Sequence, residues 1–190
     1  GSAMPTLSLS KAHKNIRALA AADCTQLITL TCNSPELHEL NVQACTSLEY
    51  LDLSLCCIEQ LVEVHLPNLQ SLSLVDCQRL RQLQVVAPKL TSLDCSGCTE
   101  LSEFSLQMLE ACAASLTLLS VCRTGITALQ VHLPLPRLAV LSAAGCPKLA
   151  RVSLAHQCCP ELGKLDLSQT PALTDIGASL NECKMLRELC

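Results

Sequence analysis

Large rings are nearly missing from this chain: Tyr50 and Phe104 are the only aromatics, and there is no tryptophan. An irregular core uses bulky rings to fill uneven space. A core without them is expected to be built from units of one size, and therefore to repeat. Charge is sparse as well. Charged residues make up 16% of the sequence and the net charge is −4, which excludes a broad electrostatic grip on nucleic acid or on an anionic membrane. Without interleaved aromatics there is also nothing on which to stack bases. No apolar run approaches the roughly 18 to 20 residues that a membrane helix needs. The N-terminus shows no secretory signal, and Gly1-Ser2-Ala3 reads as a vector-derived leader outside the fold. What the chain has in excess is aliphatic: 49% hydrophobic residues in 190, with leucine at 40 positions. That composition excludes disorder and suffices for one domain with a substantial core.

The leucines are periodic. The pattern Leu-x-x-Leu-x-apolar occurs at Leu27/Leu30/Cys32, Leu48/Leu51/Leu53, Leu69/Leu72/Leu74 and Leu90/Leu93/Cys95, and the intervals between these four starting leucines are identical. It returns, at longer and unequal intervals, at Leu116/Leu119/Val121, Leu138/Leu141/Ala143 and Leu162/Leu165/Leu167. A weaker copy opens at Met4/Leu7/Leu9, and a truncated one closes at Leu186/Leu189. Chance does not give three equal intervals in a row. Between the copies lies a second half-pattern: Leu37/Leu40/Val42, Leu80/Leu83/Val85, Leu101/Phe104/Leu106 and Leu149/Val152/Leu154. Each repeat therefore predicts two short extended edges with inward residues at alternate positions. Prolines 67, 88, 134, 136, 147, 160 and 171 and glycines 97, 125 and 145 mark the turns.

Segments such as "LPNLQSLSLVDCQRLRQLQVVAPKLTSLDCSGC" resemble leucine-rich repeats, especially the cysteine-containing type of F-box/LRR proteins. The resemblance implies an α/β, β-rich solenoid: a curved molecule with a concave parallel sheet, mostly extended or 3-10 convex segments and a few short helices. Helical turns are expected at 106–115, 155–159 and 177–184. One domain is expected over 4–190, with about eight or nine repeats starting near Met4, Leu27, Leu48, Leu69, Leu90, Leu116, Leu138, Leu162 and Leu186, as part of a larger protein. The resemblance also implies that the residue eight after the first leucine, normally Asn or Cys, is buried at the turn. Here it is Cys56, Cys77, Cys98 and Cys146, replaced by Pro35, Thr124 and Thr170.

Fifteen cysteines invite a metal or a disulfide framework. Four share the turn phase, Cys24, Cys45, Cys159 and Cys183 share a phase three residues before the first leucine, and Cys32 and Cys95 take an inward strand position. Ten thus read as small buried apolar residues, able at the turn to donate a weak S–H bond to a neighbouring carbonyl. Cys95-x-x-Cys98 lacks a second CxxC, so no metal or cofactor is expected. An odd count favours reduced thiols and a cytoplasmic location. Cys122 and Cys190 fit no buried phase and are expected to be exposed.

No catalytic set is legible. His65 and His132 sit at equivalent turns, His13, His38 and His156 lack ligand spacing, and Cys122 has no histidine beside it. Asp52, Asp94 and Asp166 recur one residue after the second leucine, but Asp52 and Asp94 are two repeats apart, about 10 Å at strand spacing. The chain is expected not to be an enzyme and not to have a small-molecule substrate. The outward strand columns make a small-residue surface with an apolar patch at Leu118, Val140, Cys122 and Ala144. The expected function is a non-catalytic protein-interaction module. Its candidate contacts are Tyr50, Asp52, Asp94, Leu118, Val140 and Asp166, with one aromatic and two aliphatic anchors among them. The alternatives are the substrate-recognition part of a ubiquitin ligase, as the F-box resemblance implies, and an enzyme inhibitor similar to the ribonuclease inhibitors.

Overall fold

In the computed structural model, residues 6–9, 13, 15–102, 110–155, 157–177, 180 and 183–190 are described. The expectations for Met4, Phe104, Leu106 and His156, and for parts of 106–115 and 177–184, lie outside them. The nine copies of the first half-pattern become nine strands: β1 (Thr6–Leu9), β3 (Thr29–Cys32), β5 (Tyr50–Asp52), β7 (Ser71–Ser73), β9 (Ser92–Asp94), β10 (Leu118–Ser120), β12 (Val140–Ser142), β14 (Lys164–Asp166) and β16 (Glu188–Leu189). They form one parallel sheet in that order. Where it is described, the second half-pattern becomes a back strand, β4 (Glu39–Asn41), β8 (Gln82–Val86) and β13 (Arg151–Leu154), and these pair with β2 (Ala18–Ala20), β6 (Gln60–His65), and β11 (Ala128–Val131) and β15 (Asp175–Ile176), which lie outside the four copies read from the sequence. The chain is a β-rich solenoid with almost no helix. α-Helix among the described residues is limited to 110–112. Of 155–159, expected to be helical, the described residues are turn or irregular, with the Cys158 N–H on the Ala155 carbonyl at 3.1 Å.

Register is set by the second leucine. Leu7, Leu30, Leu51, Leu72, Leu93, Leu119, Leu141, Leu165 and Leu189 pair strand to strand without a slip. Strand side chains alternate between faces, so a slip of one residue would turn a coil's whole leucine set outward. From Leu30 to Leu165 the row is buried, together with the third-position residues Cys32, Leu53, Leu74, Cys95, Val121, Ala143 and Leu167. The second half-pattern meets it from the back through Leu37, Leu61, Leu83, Leu129 and Val152.

The turn after each front strand repeats one backbone device. Leu55, Asp76, Gly97, Arg123, Gly145 and Gln169, each seven positions after the first leucine of its coil, all have positive φ, from 54° to 79°. Glycine is needed at one of them for a second reason: a Cβ on Gly97 would collide with the Asp76 carboxylate. That carboxylate accepts from Arg123 Nη2 at 3.3 Å across the intervening coil.

One position later sits the buried donor. Cys56 Sγ donates to the Cys32 carbonyl (3.0 Å), Cys77 to Leu53 (3.0 Å), Cys98 to Leu74 (3.1 Å) and Cys146 to Val121 (3.1 Å). These carbonyls lie where the front strands end, and a buried carbonyl without a partner is costly. Thr124 and Thr170 use their hydroxyls on Val121 and Leu167 of their own coils. In the coil of Leu27 the expected Pro35 is exposed and the donor is Ser34, buried, with Oγ 3.0 Å from the Ile16 carbonyl. Its turn is one residue shorter on the strand side, and the carbonyl that Ser34 reaches lies ahead of β2 rather than at the end of β1.

The packing of the leucine row and the strain of the turn can each be tested. Leu72 is 1% exposed, so Leu72→Ala opens a cavity and lowers the unfolding free energy by about 2 to 5 kcal/mol in urea titration; a near-neutral result would mean that the residue does not face the core. Leu55 combines a left-handed φ of 68° with 48% exposure. Leu55→Gly relieves the Cβ strain without removing core contacts and should raise the melting temperature by the equivalent of about 1 kcal/mol.

Candidate partner-binding face

The outward side of the nine-stranded sheet is ordered in columns. The first is Thr6, Thr29, Tyr50, Ser71, Ser92, Leu118, Val140, Lys164, Glu188, and the second is Ser8, Thr31, Asp52, Ser73, Asp94, Ser120, Ser142, Asp166. The candidate residues therefore do share one surface. Tyr50 is 46% exposed and sits between Thr29 and Ser71, too small to cover its ring. Leu118 and Val140 are direct cross-strand partners, half-buried, and make the apolar part of the face. Tyr50 and Lys164 lie five strand spacings apart, on the order of 24 Å of face.

The three aspartates have a local duty. Oδ1 of Asp52 accepts the Ser54 N–H at 2.9 Å, that of Asp94 the Ser96 N–H at 2.9 Å, and that of Asp166 the Ser168 N–H at 3.0 Å. Ser54 and Ser168 add their hydroxyls at 2.5 and 2.7 Å. Each carboxylate thus closes the turn that leaves the sheet by accepting from the residue two positions on. The Asp166 carboxyl is held below its ordinary value, first by the Ser168 hydroxyl and then by the Ser168 N–H.

A second feature escaped the sequence reading. A third outward column, Asn33, Ser54, Val75, Ser96, Cys122, Ala144 and Ser168, links diagonally to the second column of the next coil. Asn33 Nδ2 donates to Asp52 at 3.5 Å and to the Ser54 carbonyl at 3.1 Å. Ser54 meets Ser73 at 2.9 Å, Ser96 meets Ser120 at 2.7 Å, and Cys122 Sγ meets Ser142 at 2.9 Å. Val75 and Ala144 interrupt this run of hydroxyls, and apolar surface enters at those steps. The signal was present in the columns as serine on the diagonal, but it carries no periodicity of its own apart from the leucines.

The thiols divide by burial. Cys56, Cys77 and Cys98 are pushed up to about 12 and Cys112 to about 11, in each case chiefly by desolvation. They stay protonated at neutral pH, and at the turns of Cys56, Cys77 and Cys98 the donor role requires it. The shared phase predicts burial for Cys24 and Cys183, but Cys24 is exposed and Cys183 half-buried. Cys190 is exposed as expected, and Cys122 is half-buried. No group of three or more His, Cys, Asp or Glu among the described residues could hold a metal ion. His65 and His132 are exposed, against the Glu63 carbonyl and the Gln130 side chain.

The depressed Asp166 value sets a pH dependence. Its stabilising contribution is present above the ordinary carboxylate range, near about pH 4, and is lost as pH falls through the lower folded value. Asp166→Asn should flatten the acid limb of a stability-versus-pH curve relative to the parent, while leaving the curve around neutral pH parallel; an unchanged acid limb would deny the carboxylate this role.

The family model described as Leucine Rich repeat matches residues 44–60. That stretch runs from the turn before β5 to the start of β6, and holds Leu48, Leu51, Leu53 and the turn donor Cys56. No curated protein and no solved structure matches the chain. The match covers one repeat, and the strand register extends the same leucine pattern through every coil; together they support a leucine-rich repeat protein.

Proposed function

We propose that the chain is a non-catalytic scaffold that holds a protein partner on its nine-stranded face. The observation that carries this is the pairing of Leu118 with Val140, an apolar pair set in a mostly small and polar surface and separated from Cys122 and Ala144 by Ser120 and Ser142. On one side of it Ser120 and Ser142 are already bonded to Ser96 and Cys122, so covering those hydroxyls does not strand unpaired donors. Tyr50 supplies a second anchor, about 14 Å from Leu118 at three strand spacings. The aspartates contribute negative field to the same face, though Oδ1 of each is engaged in its turn. Solenoid surfaces serve binding in general, and a rigid face of short side chains loses little entropy when it is covered.

The cysteine-containing turns favour one narrower reading, the substrate-recognition part of an F-box-type ubiquitin ligase. An F-box segment preceding these repeats in the full-length protein would support it, and a different neighbouring domain would remove it. A reducing, cytoplasmic setting fits a fold whose turn thiols act as hydrogen-bond donors, a role lost on oxidation.

Leu118→Arg combined with Val140→Glu should leave the melting temperature within a few degrees of the parent, because both side chains are only half-buried. It should lower the yield of the proteins recovered by affinity capture on the full-length parent by about tenfold or more. Equal recovery by the folded double variant would place binding elsewhere.

A further inference from the structure

The turn that carries the chain from the back of one coil to the front of the next is also stacked in register. β2 and β4 pair Ala18 with Glu39, Leu19 with Leu40 and Ala20 with Asn41. The ladder continues past the strands: the Ala21 N–H donates to the Asn41 carbonyl at 2.8 Å, and the Asp23 N–H to the Gln43 carbonyl at 2.9 Å. Asp23 and Ala44 then make the same left-handed step, with φ of 60° and 58°. Each is followed by a cysteine, whose carbonyl accepts from the leucine that opens the next coil, Leu27 at 3.0 Å and Leu48 at 3.1 Å. Cys24 and Cys45 thus occupy the same place on two successive coils. One strand spacing, about 4.8 Å, separates them, inside the roughly 4.4 to 6.8 Å Cα range of a disulfide.

The Cys45 side chain leans across that gap. Its Sγ is 3.0 Å from the Ala21 carbonyl of the preceding coil, an oxygen that also accepts the Cys24 N–H at 3.4 Å. The Cys24 backbone hydrogen-bonds the Cys45 sulfur itself. The two thiols differ in what can reach them, for Cys24 is exposed and Cys45 is buried. In three of the coils further along, the same position is Leu66, Ala87 and Leu135, all buried, so packing there does not call for sulfur. Cys56, Cys77 and Cys98 also lie in phase on successive coils, but all three are buried, out of reach of an oxidant in solution. Cys159 and Cys183 recur at the position of Cys24 and Cys45, where Cys159 has the Cys158 sulfur at 3.5 Å as a competing partner. In the pair Cys24 and Cys45, one sulfur meets solvent and the other sits directly behind it.

We propose that Cys24 and Cys45 are a redox staple: a small disulfide in solution converts them to a Cys24–Cys45 disulfide that ties the coil of β1 and β2 to the coil of β3 and β4. The Cys24 thiolate attacks one sulfur of the small disulfide, and a new S–S bond forms as the old one breaks. The leaving thiolate takes up the proton that Cys24 released. Cys45 then gives up its proton and attacks the Cys24 sulfur, expelling the retained half as a second small thiol. Two protein thiols are oxidised and one small disulfide is reduced to two thiols, so no other oxidant is required. Burial pushes the Cys45 thiol up, so Cys24 reacts first and Cys45 resolves the adduct from within the molecule, at high effective concentration.

The folded full chain is incubated with 2-hydroxyethyl disulfide, the exchange is stopped with acid, the remaining thiols are alkylated in denaturant, and bonds are mapped by peptide mass spectrometry. Cys24–Cys45 should be the first protein disulfide to accumulate, while Cys56, Cys77 and Cys98 are recovered as alkylated thiols. Closing the loop restricts the unfolded chain, so the melting temperature should rise by about 5 °C or more over the dithiol form. Cys45→Ser keeps a donor for the Ala21 carbonyl, and in that variant Cys24 should stop at the mixed disulfide. In Cys24→Ser, modification of Cys45 should be at least about tenfold slower than closure in the parent. A mixed disulfide that persists at Cys24 in the folded parent, a link from Cys24 to any other cysteine or to a second copy, or a Cys24–Cys45 bond that leaves the melting temperature unchanged would each overturn the proposal.

Discussion

No coil of this molecule can bury its own leucines. A coil is two short strands and two turns, and the shelter for Leu51 comes from Leu30 on one side and Leu72 on the other. Everything else is subordinate to keeping that row in register. Stacking must be continuous, and the turns must superpose. Each carbonyl left where a front strand ends must also find a donor inside the stack. The thiols of Cys56, Cys77, Cys98 and Cys146 meet the last requirement. A thiol suits the place because it is small and nearly apolar, and desolvation keeps Cys77 and Cys98 protonated. The same logic explains how Cys56, Cys77, Cys98 and Cys146, one to a coil at a shared phase, serve as core residues of the stack.

Legibility from sequence followed from how strictly a feature is tied to the leucines. The central row was readable because nine copies of one pattern constrain each other; of the back strands β4, β8 and β13 were readable from the second half-pattern, whereas β2, β6, β11 and β15 lie outside the four copies read from the sequence. The turn phase was readable at Cys56, Cys77 and Cys98, where the spacing is constant. It failed at the coil of Leu27, where counting eight positions lands on Pro35 while the chain, one residue shorter, delivers Ser34. It failed again at Cys24, which has the phase of the buried Cys45 but lies exposed. Cys45 is buried with its thiol on the Ala21 carbonyl, so a shared phase does not guarantee a shared environment towards the start of the stack. The register shift between β6 and β8 was invisible because the repeat length stays constant while its interior shifts by one. The serine diagonal was unreadable in another way. Hydroxyls on an exposed face are compatible with almost any neighbour, and only the strand register decides which two meet.

The back of the solenoid also bears on shape. Helices pack roughly 10 Å apart, so a helical back forces the strand side of such a stack to close inward. Here most described back segments are strands, spaced like those in front at about 4.8 Å. Curvature must then come from strand twist and unequal turns, which places its control in the same turn residues that carry the donors. The coils of Leu90, Leu116, Leu138 and Leu162 are each longer than the constant unit that precedes them. Two of them carry Leu118 and Val140, so the less regular part of the stack bears the apolar pair of its face.

A face that has already satisfied its own polar groups selects partners differently from one that has not. Where donors are free, a partner is chosen by the bonds it completes, and specificity resides in a few pairs. On this sheet Asp52, Asp94 and Asp166 close turns, and Ser54, Ser73, Ser96, Ser120 and Ser142 bond across coils. What remains open to a partner is mostly shape, the exposed ring of Tyr50 and the rise of Leu118 and Val140, with the Ser71 and Ser92 hydroxyls on the low ground between them. Discrimination on such a surface rests on fit and on the cost of burying mismatched charge near three carboxylates. Replacing one serine with alanine would then disturb neighbouring coils before it disturbed the partner. Changing the relief at Tyr50, Leu118 or Val140 would do the reverse, and this asymmetry follows from where the hydrogen bonds already go.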